Sequence, residues 1–337
     1  REERAGSGAL LSMLTMVSLL WVWPRGIRGA LEAAILANLA ITIVMLPDLL
    51  RSAKLRLRRD VLKGILSYGL PFLPHHLAVF LLFGADRYFI EYYHGVNEVG
   101  LYSYAYRIGM IMSLVLEGAS LAWTPFLFSM HKREDARTIH ALSARYVMAA
   151  IVGTAAIIIV FGDELIKLLA FSAPEYWTAA SLVPWITGGY VFLGIYQVFG
   201  AAVGIPKRTR LLPVYSITGL IVNLAMNWVL VPKYGTTGAA IATLVAYIAM
   251  ATVTVIVTQR VYHVPYEWGR LTSLVVSGIL IAIFGWMLPD SPFGWMIAAK
   301  LGLLIAFPVL LLATGFFKRE ERERIAALLN RARNAGH

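Results

Sequence analysis

The sequence predicts an all-α fold, a polytopic transmembrane bundle of about ten helices. Three observations carry this. The 337 residues are 59% hydrophobic and only 15% charged, with a mean hydropathy of +0.69, whereas soluble domains carry about 25% charged residues. Ten stretches reach the roughly 20 apolar residues that a spanning helix needs. Basic residues collect in every second gap between those stretches. Strands are not expected, because hydrocarbon tolerates only helices or closed barrels and these runs are too long for barrel strands.

In chain order the ten stretches are 6–23, 30–50, 67–90, 98–128, 142–161, 181–204, 210–231, 237–258, 270–288 and 294–316. On one side of the membrane fall Arg1 and Arg4, then Arg51 to Lys63, Lys132 to Arg145, Lys207 to Arg210, Arg260 and Arg270, and the tail from Lys318 to Arg333. The opposite gaps hold only Arg25, Arg28, Lys167 and Lys233. Cytoplasmic loops carry the Lys/Arg excess, so both ends of the chain are expected to face the cytoplasm. This pattern accounts for the net charge of +11 without nucleic acid. The tail, 317–337, intersperses Ile325, Leu328 and Leu329 among charges and reads as a surface helix or a frayed basic end. Trp21, Trp23, Trp177 and Trp228 read as interfacial anchors.

An internal repeat follows from two outer hairpins. WVWPRGIRGA at 21–30 and WVLVPKYGTTGA at 228–239 share Trp-Val, Pro, a basic residue and a Gly-x-x-Gly-Ala close. The matching glycines are Gly26/Gly29 and Gly235/Gly238, with six helices between them, which suggests duplicated six-helix units. The expected organisation is the last hairpin of an N-terminal lobe at 1–50, a complete C-terminal lobe at 51–258, two additional helices at 259–316, and a basic cytoplasmic tail at 317–337.

Chemistry-bearing motifs are few. There is no cysteine, which excludes disulfides and thiolate sites. No P-loop or Gly-x-Ser-x-Gly is present, and no gap is long enough for a soluble catalytic domain. Adjacent His75 and His76 point in different directions and do not suggest a metal site. Neither cofactor nor metal is expected, and the chain does not read as an enzyme. Pro71 and Pro74 should kink the third helix.

Two stretches resemble a known family. Residues 68–109 contain Pro71, Pro74, Asp86-Arg87, Gly95, Gly100-Leu-Tyr102-Ser103 and Arg107; residues 223–244 contain the second Gly-rich hairpin. Both resemble polysaccharide biosynthesis proteins of the O-antigen flippase type, within the superfamily that also holds multidrug and toxic-compound extruders. The resemblance covers about 20–316. It implies MATE-like lobes around a central cavity and fourteen helices in all, four of them preceding this chain. It also implies translocation of undecaprenyl-pyrophosphate-linked oligosaccharide to the outer leaflet of the bacterial cytoplasmic membrane, by alternating access coupled to an H+ or Na+ gradient. A multidrug-type cation antiporter and a membrane polysaccharide polymerase or ligase are the alternatives.

Charged groups inside membrane helices are costly and mark function by default. Arg107 lies about ten residues into its helix, roughly 15 Å deep, and is expected to grip phosphate in a bidentate way. The alternative is a structural pair with Glu117 or Asp86. Arg87 is the second cavity cation, although it could snorkel. Asn223 and Asn227 share one helix face and offer hydrogen bonds to sugar or to a neighbouring helix. Glu117 and Asp86 are the ion-coupling candidates. Membrane lipids are the remaining partners.

Overall fold

A computed structural model describes residues 26–52, 59–288, 293–318 and 321. The expected helix at 6–23 and most of the tail lie outside the described residues. The chain divides into two compact units, 1–65 and 66–337. In the first unit, α1 (Gly26–Ser52) contains Pro47. Asn38 Nδ2 donates to the Ala34 carbonyl and Thr42 Oγ1 to that of Asn38, both at 2.8 Å. These polar side chains are thereby satisfied within their own helix.

α2 (Arg59–Gly69) crosses the division between the units. The second unit continues with α3 (Phe72–His94), α4 (Val96–Met130), α5 (Ala136–Val160) and α6 (Gly162–Leu169). A 3-10 segment (Pro174–Leu182) leads to α7 (Val183–Gly200). Then come α8 (Leu212–Val261), α9 (Trp268–Trp286) and α10 (Phe293–Ala313). Among the described residues there is no strand. Among the described residues seven helical stretches are long and apolar enough to cross a membrane, and the 53-residue stretch Thr209–Val261 is one of them.

That stretch crosses twice. Gly235 sits at φ 55°, ψ −133°, a region open essentially to glycine alone. The chain turns back there: Asn223 bonds Thr243 at 3.3 Å and Tyr215 bonds Thr258 at 3.2 Å. Along one straight helix, 20 residues would separate the first pair by roughly 30 Å. Gly238 completes the turn, because a Cβ there would lie 2.5 Å from the Leu230 carbonyl oxygen. The stretches expected at 210–231 and 237–258 are thus the two arms of α8.

Pro71 and Pro74 act differently from a kink. The helix expected at 67–90 ends as α2 at Gly69, and α3 starts at Phe72 with Pro71 before it and Pro74 in its first turn. First-turn residues need no intrahelical N–H partner, so proline starts the new helix.

The core of the second unit lies where α3 and α7 pack on α8. Tyr102, Tyr190, Tyr215 and Tyr247 are among its largest fully buried side chains. Small residues allow the close approach. A Cβ at Gly109 would lie 2.4 Å from Ile186, one at Gly194 3.0 Å from Leu116, and one at Gly204 2.8 Å from Phe128.

Candidate functional site: a buried carboxylate and an exposed arginine

The hairpin sets the depth of the site. Asn227 and Thr243 lie equally far from Gly235 along the two arms of α8. His94, the last residue of α3, bonds the Val231 carbonyl at 2.8 Å. This contact ties the end of α3 to the hairpin. Asp86, two helical turns back along α3, therefore lies level with Asn227 and Thr243.

Asp86 is fully buried. Its Oδ2 accepts from the Tyr102 hydroxyl and the Thr243 hydroxyl, both at 2.6 Å. Its Oδ1 accepts from Asn227 Nδ2 at 2.8 Å and Asn223 Nδ2 at 3.1 Å. Asn227 Nδ2 also reaches the Asn223 carbonyl and Oδ1, at 3.0 Å each. Four donors thus meet two carboxylate oxygens, a set complementary to an acceptor-only carboxylate. Among the described residues no cation lies within ion-pair distance of Asp86, and Asn227 Oδ1 is buried without a hydrogen bond. Asp86, Asn223, Asn227 and Thr243 all carry side-chain oxygens, the ligand type a hard cation takes. Reversal of the two amides would turn those of the asparagines inward.

Arg87 is adjacent in sequence but points elsewhere. Its Nη1 donates to the Phe83 carbonyl at 2.9 Å, and the guanidinium lies 4.7 Å from the Tyr106 ring centroid and 5.9 Å from that of Tyr102. Both tyrosines are cation–π partners of Arg87, and Tyr102 is in addition a donor to Asp86.

Arg107 is exposed on α4. Its guanidinium lies 5.2 Å from the Tyr104 ring, which stacks on Tyr176 of the 3-10 segment at 4.3 Å. Arg107 has no carboxylate partner among the described residues. Glu117 is also exposed on α4, apart from both Arg107 and Asp86. Of the six expected site residues, the structure joins Asp86, Asn223 and Asn227, sets Arg87 beside them, and leaves Arg107 and Glu117 separate. The alternative to a cavity role, a structural pair of Arg107 with Asp86 or Glu117, is not formed. Tyr102 and Thr243 were not foreseen. Both lie inside the motifs at 68–109 and 223–244, and counting outward from Gly235 identifies Thr243.

The family model for polysaccharide biosynthesis proteins matches residues 7–131, and that for MatE matches residues 71–229. The two matches overlap at residues 71–131. No curated protein sequence matches it significantly. Solved exporters share its fold at low identity. The lipid II flippase MurJ, in an inward-closed conformation, superposes with a TM-score of 0.66 at 14% identity, over 90% of this chain. A MATE protein in complex with MaL6 gives 0.61 at 18% identity, over 80% of this chain. An outward-facing multidrug-resistance MATE transporter gives 0.57 at 19% identity, over 79% of this chain. The chain spans 65%, 63% and 61% of those three proteins respectively. The chain is a multi-pass membrane protein.

Proposed function

We propose that the chain forms part of a flippase that carries polyprenyl-pyrophosphate-linked oligosaccharide from the cytoplasmic to the outer leaflet, by alternating access driven by a cation gradient. Both ends of the chain face the cytoplasm of a bacterial inner membrane in this reading. The observation that carries it is Arg107. An exposed guanidinium deep in an apolar helix cannot face lipid without large cost. It therefore borders a water-filled path, and with no carboxylate among the described residues claiming it, it is available to an anion. Pyrophosphate suits the bidentate geometry of arginine. Asp86 is the coupling site: a carboxylate with neutral, oxygen-bearing neighbours takes up H+ or Na+ without displacing another cation. Arg87, Asn223 and Asn227 support Asp86 in this reading, and Glu117 remains a second carboxylate on the exposed face of α4.

Arg107→Ala in the producing cell is expected to abolish surface-polysaccharide export while membrane level and melting temperature are kept. Normal export would overturn the phosphate-binding role. The MatE match favours a second reading, a cation-coupled drug antiporter. In that case Arg107→Ala leaves export unchanged and Asp86→Asn abolishes efflux of a cationic dye.

A further inference from the structure

The second unit contains a cavity of about 410 Å3 that the site described above does not use. It runs along α3 from Phe72 to Phe83, roughly 16 Å at 1.5 Å per residue. Its other walls come from α4, α7 and α8, at Thr124, Tyr196 and Gln197 among others. Gly204, Thr209 and Leu212 also line it, on either side of the basic residues Lys207 and Arg208. Its inner end is formed by Leu82 and Tyr247. Leu82 is one helical turn from Asp86 on α3, and Tyr247 is one turn from Thr243 on α8.

Both ends carry a polar atom without a well-formed hydrogen bond in the protein. His75 is 7% exposed. Its Nε2 bonds the Tyr196 hydroxyl at 3.2 Å, while Nδ1 has no well-formed hydrogen bond. Tyr247 is 1% exposed, and its hydroxyl likewise lacks one. Buried polar atoms of this kind are ordinarily satisfied by water. The Ser120–Gln197 bond, at 3.1 Å, adds polar wall between them. Tyr247 is held from behind by Gly189, where a Cβ would lie 3.2 Å from its ring.

We propose that this cavity is the cytoplasmic access path by which a hydrated monovalent cation reaches or leaves Asp86, with Leu82 and Tyr247 as the one-turn barrier. The proposal rests on reading Asp86 as the coupling site. The path runs inside one lobe, separate from any route for the lipid-linked cargo. It gives the ion its own physical route to the cytoplasm, while coupling to the cargo is set by the state of the lobe.

The chain has no cysteine, so single thiols report accessibility directly. Thr124→Cys marks the mouth and Leu193→Cys the deep wall. Membrane vesicles of each orientation are treated with a cationic, membrane-impermeant methanethiosulfonate and with its anionic analogue, after a melting curve verifies folding. Both positions are expected to react from the cytoplasmic face only. The cationic reagent is expected to react about tenfold faster at Leu193→Cys, as one carboxylate near the blind end implies. Lack of reaction at Leu193→Cys, or reaction only from the outer face, overturns the path. If labelling is as expected but Asp86→Asn retains cation-dependent transport, the coupling role of Asp86 falls instead.

Discussion

Among the described residues of the second unit, Asp86 and Arg145 are at most 1% exposed, and they are treated in opposite ways. Arg145 on α5 is 1% exposed and is met by carboxylates. It bonds Glu267 at 2.8 Å in the connection before α9, the Phe316 carbonyl at 3.2 Å, and Glu321 beyond α10. Lys318 and Arg270 also pair with Glu267, at 2.8 and 3.0 Å. Asp86 has only neutral donors. A buried ion pair is a closed arrangement whose charges cancel locally. A buried carboxylate held by neutral groups keeps a net charge that another cation can answer. Arg145 therefore fastens Glu267, Phe316 and Glu321 to α5, whereas Asp86 is the proposed site.

The largest stability effect that tests this contrast comes from Arg145→Met. Removal of one partner from a buried pair costs about 3–5 kcal/mol. The melting temperature in detergent should fall strongly, with protease cleavage appearing around 262–267. A normal melting curve would remove the distinction between the two nodes.

Asp86→Asn is smaller in stability and larger in function. The amide has the shape of the carboxylate, and the Tyr102 and Thr243 hydroxyls can reverse to accept from it. The cost should stay within about 1–3 kcal/mol. Cation-dependent transport should be lost, as measured by flux against an imposed Na+ or H+ gradient.

The smallest effect is on pH. Burial pushes the Glu267 carboxyl up, but the Lys318 hydrogen bond and the charges of Arg145, Arg270 and Lys318 outweigh it and hold it below its ordinary 4.5. Glu321 follows the same pattern: burial is outweighed by the Lys318 backbone, Tyr146 and Arg145. Since both folded values are depressed, the contribution is complete above about pH 4.5 and is lost as pH falls through the depressed values. Each carboxyl is worth about 1 kcal/mol or less, being partly exposed. The melting temperature should drop modestly below pH 4.5, and this drop should shrink in Arg145→Met, where the Lys318, Arg270 and Tyr146 contributions remain.

The sequence made the helices legible because membrane thickness sets one length for all of them. Nine of the ten expected stretches fall on described helices, and Gly235 and Gly238 marked the hairpin in advance. The roles of charges were less legible. Arg145 was grouped with loop cations that set orientation, yet it is interior. Only the distant residues Glu267 and Glu321 reveal this, and no local spacing links them to it. The Asp86 node was half legible: motif residues identified Asp86, and helical spacing paired Asn223 with Asn227. That they belong together depends on the crossing of α3 and α8, which periodicity within either helix does not contain.

The node also has a timetable. Thr243 is separated from Asp86 by 157 residues, and synthesis at roughly 5–20 residues per second takes about 8–30 s to supply it. Tyr102, 16 residues on, arrives about a second or a few after Asp86. For most of the interval in which this half of the protein is being made, Tyr102 is the one member of the node available to accompany a carboxyl group into the membrane.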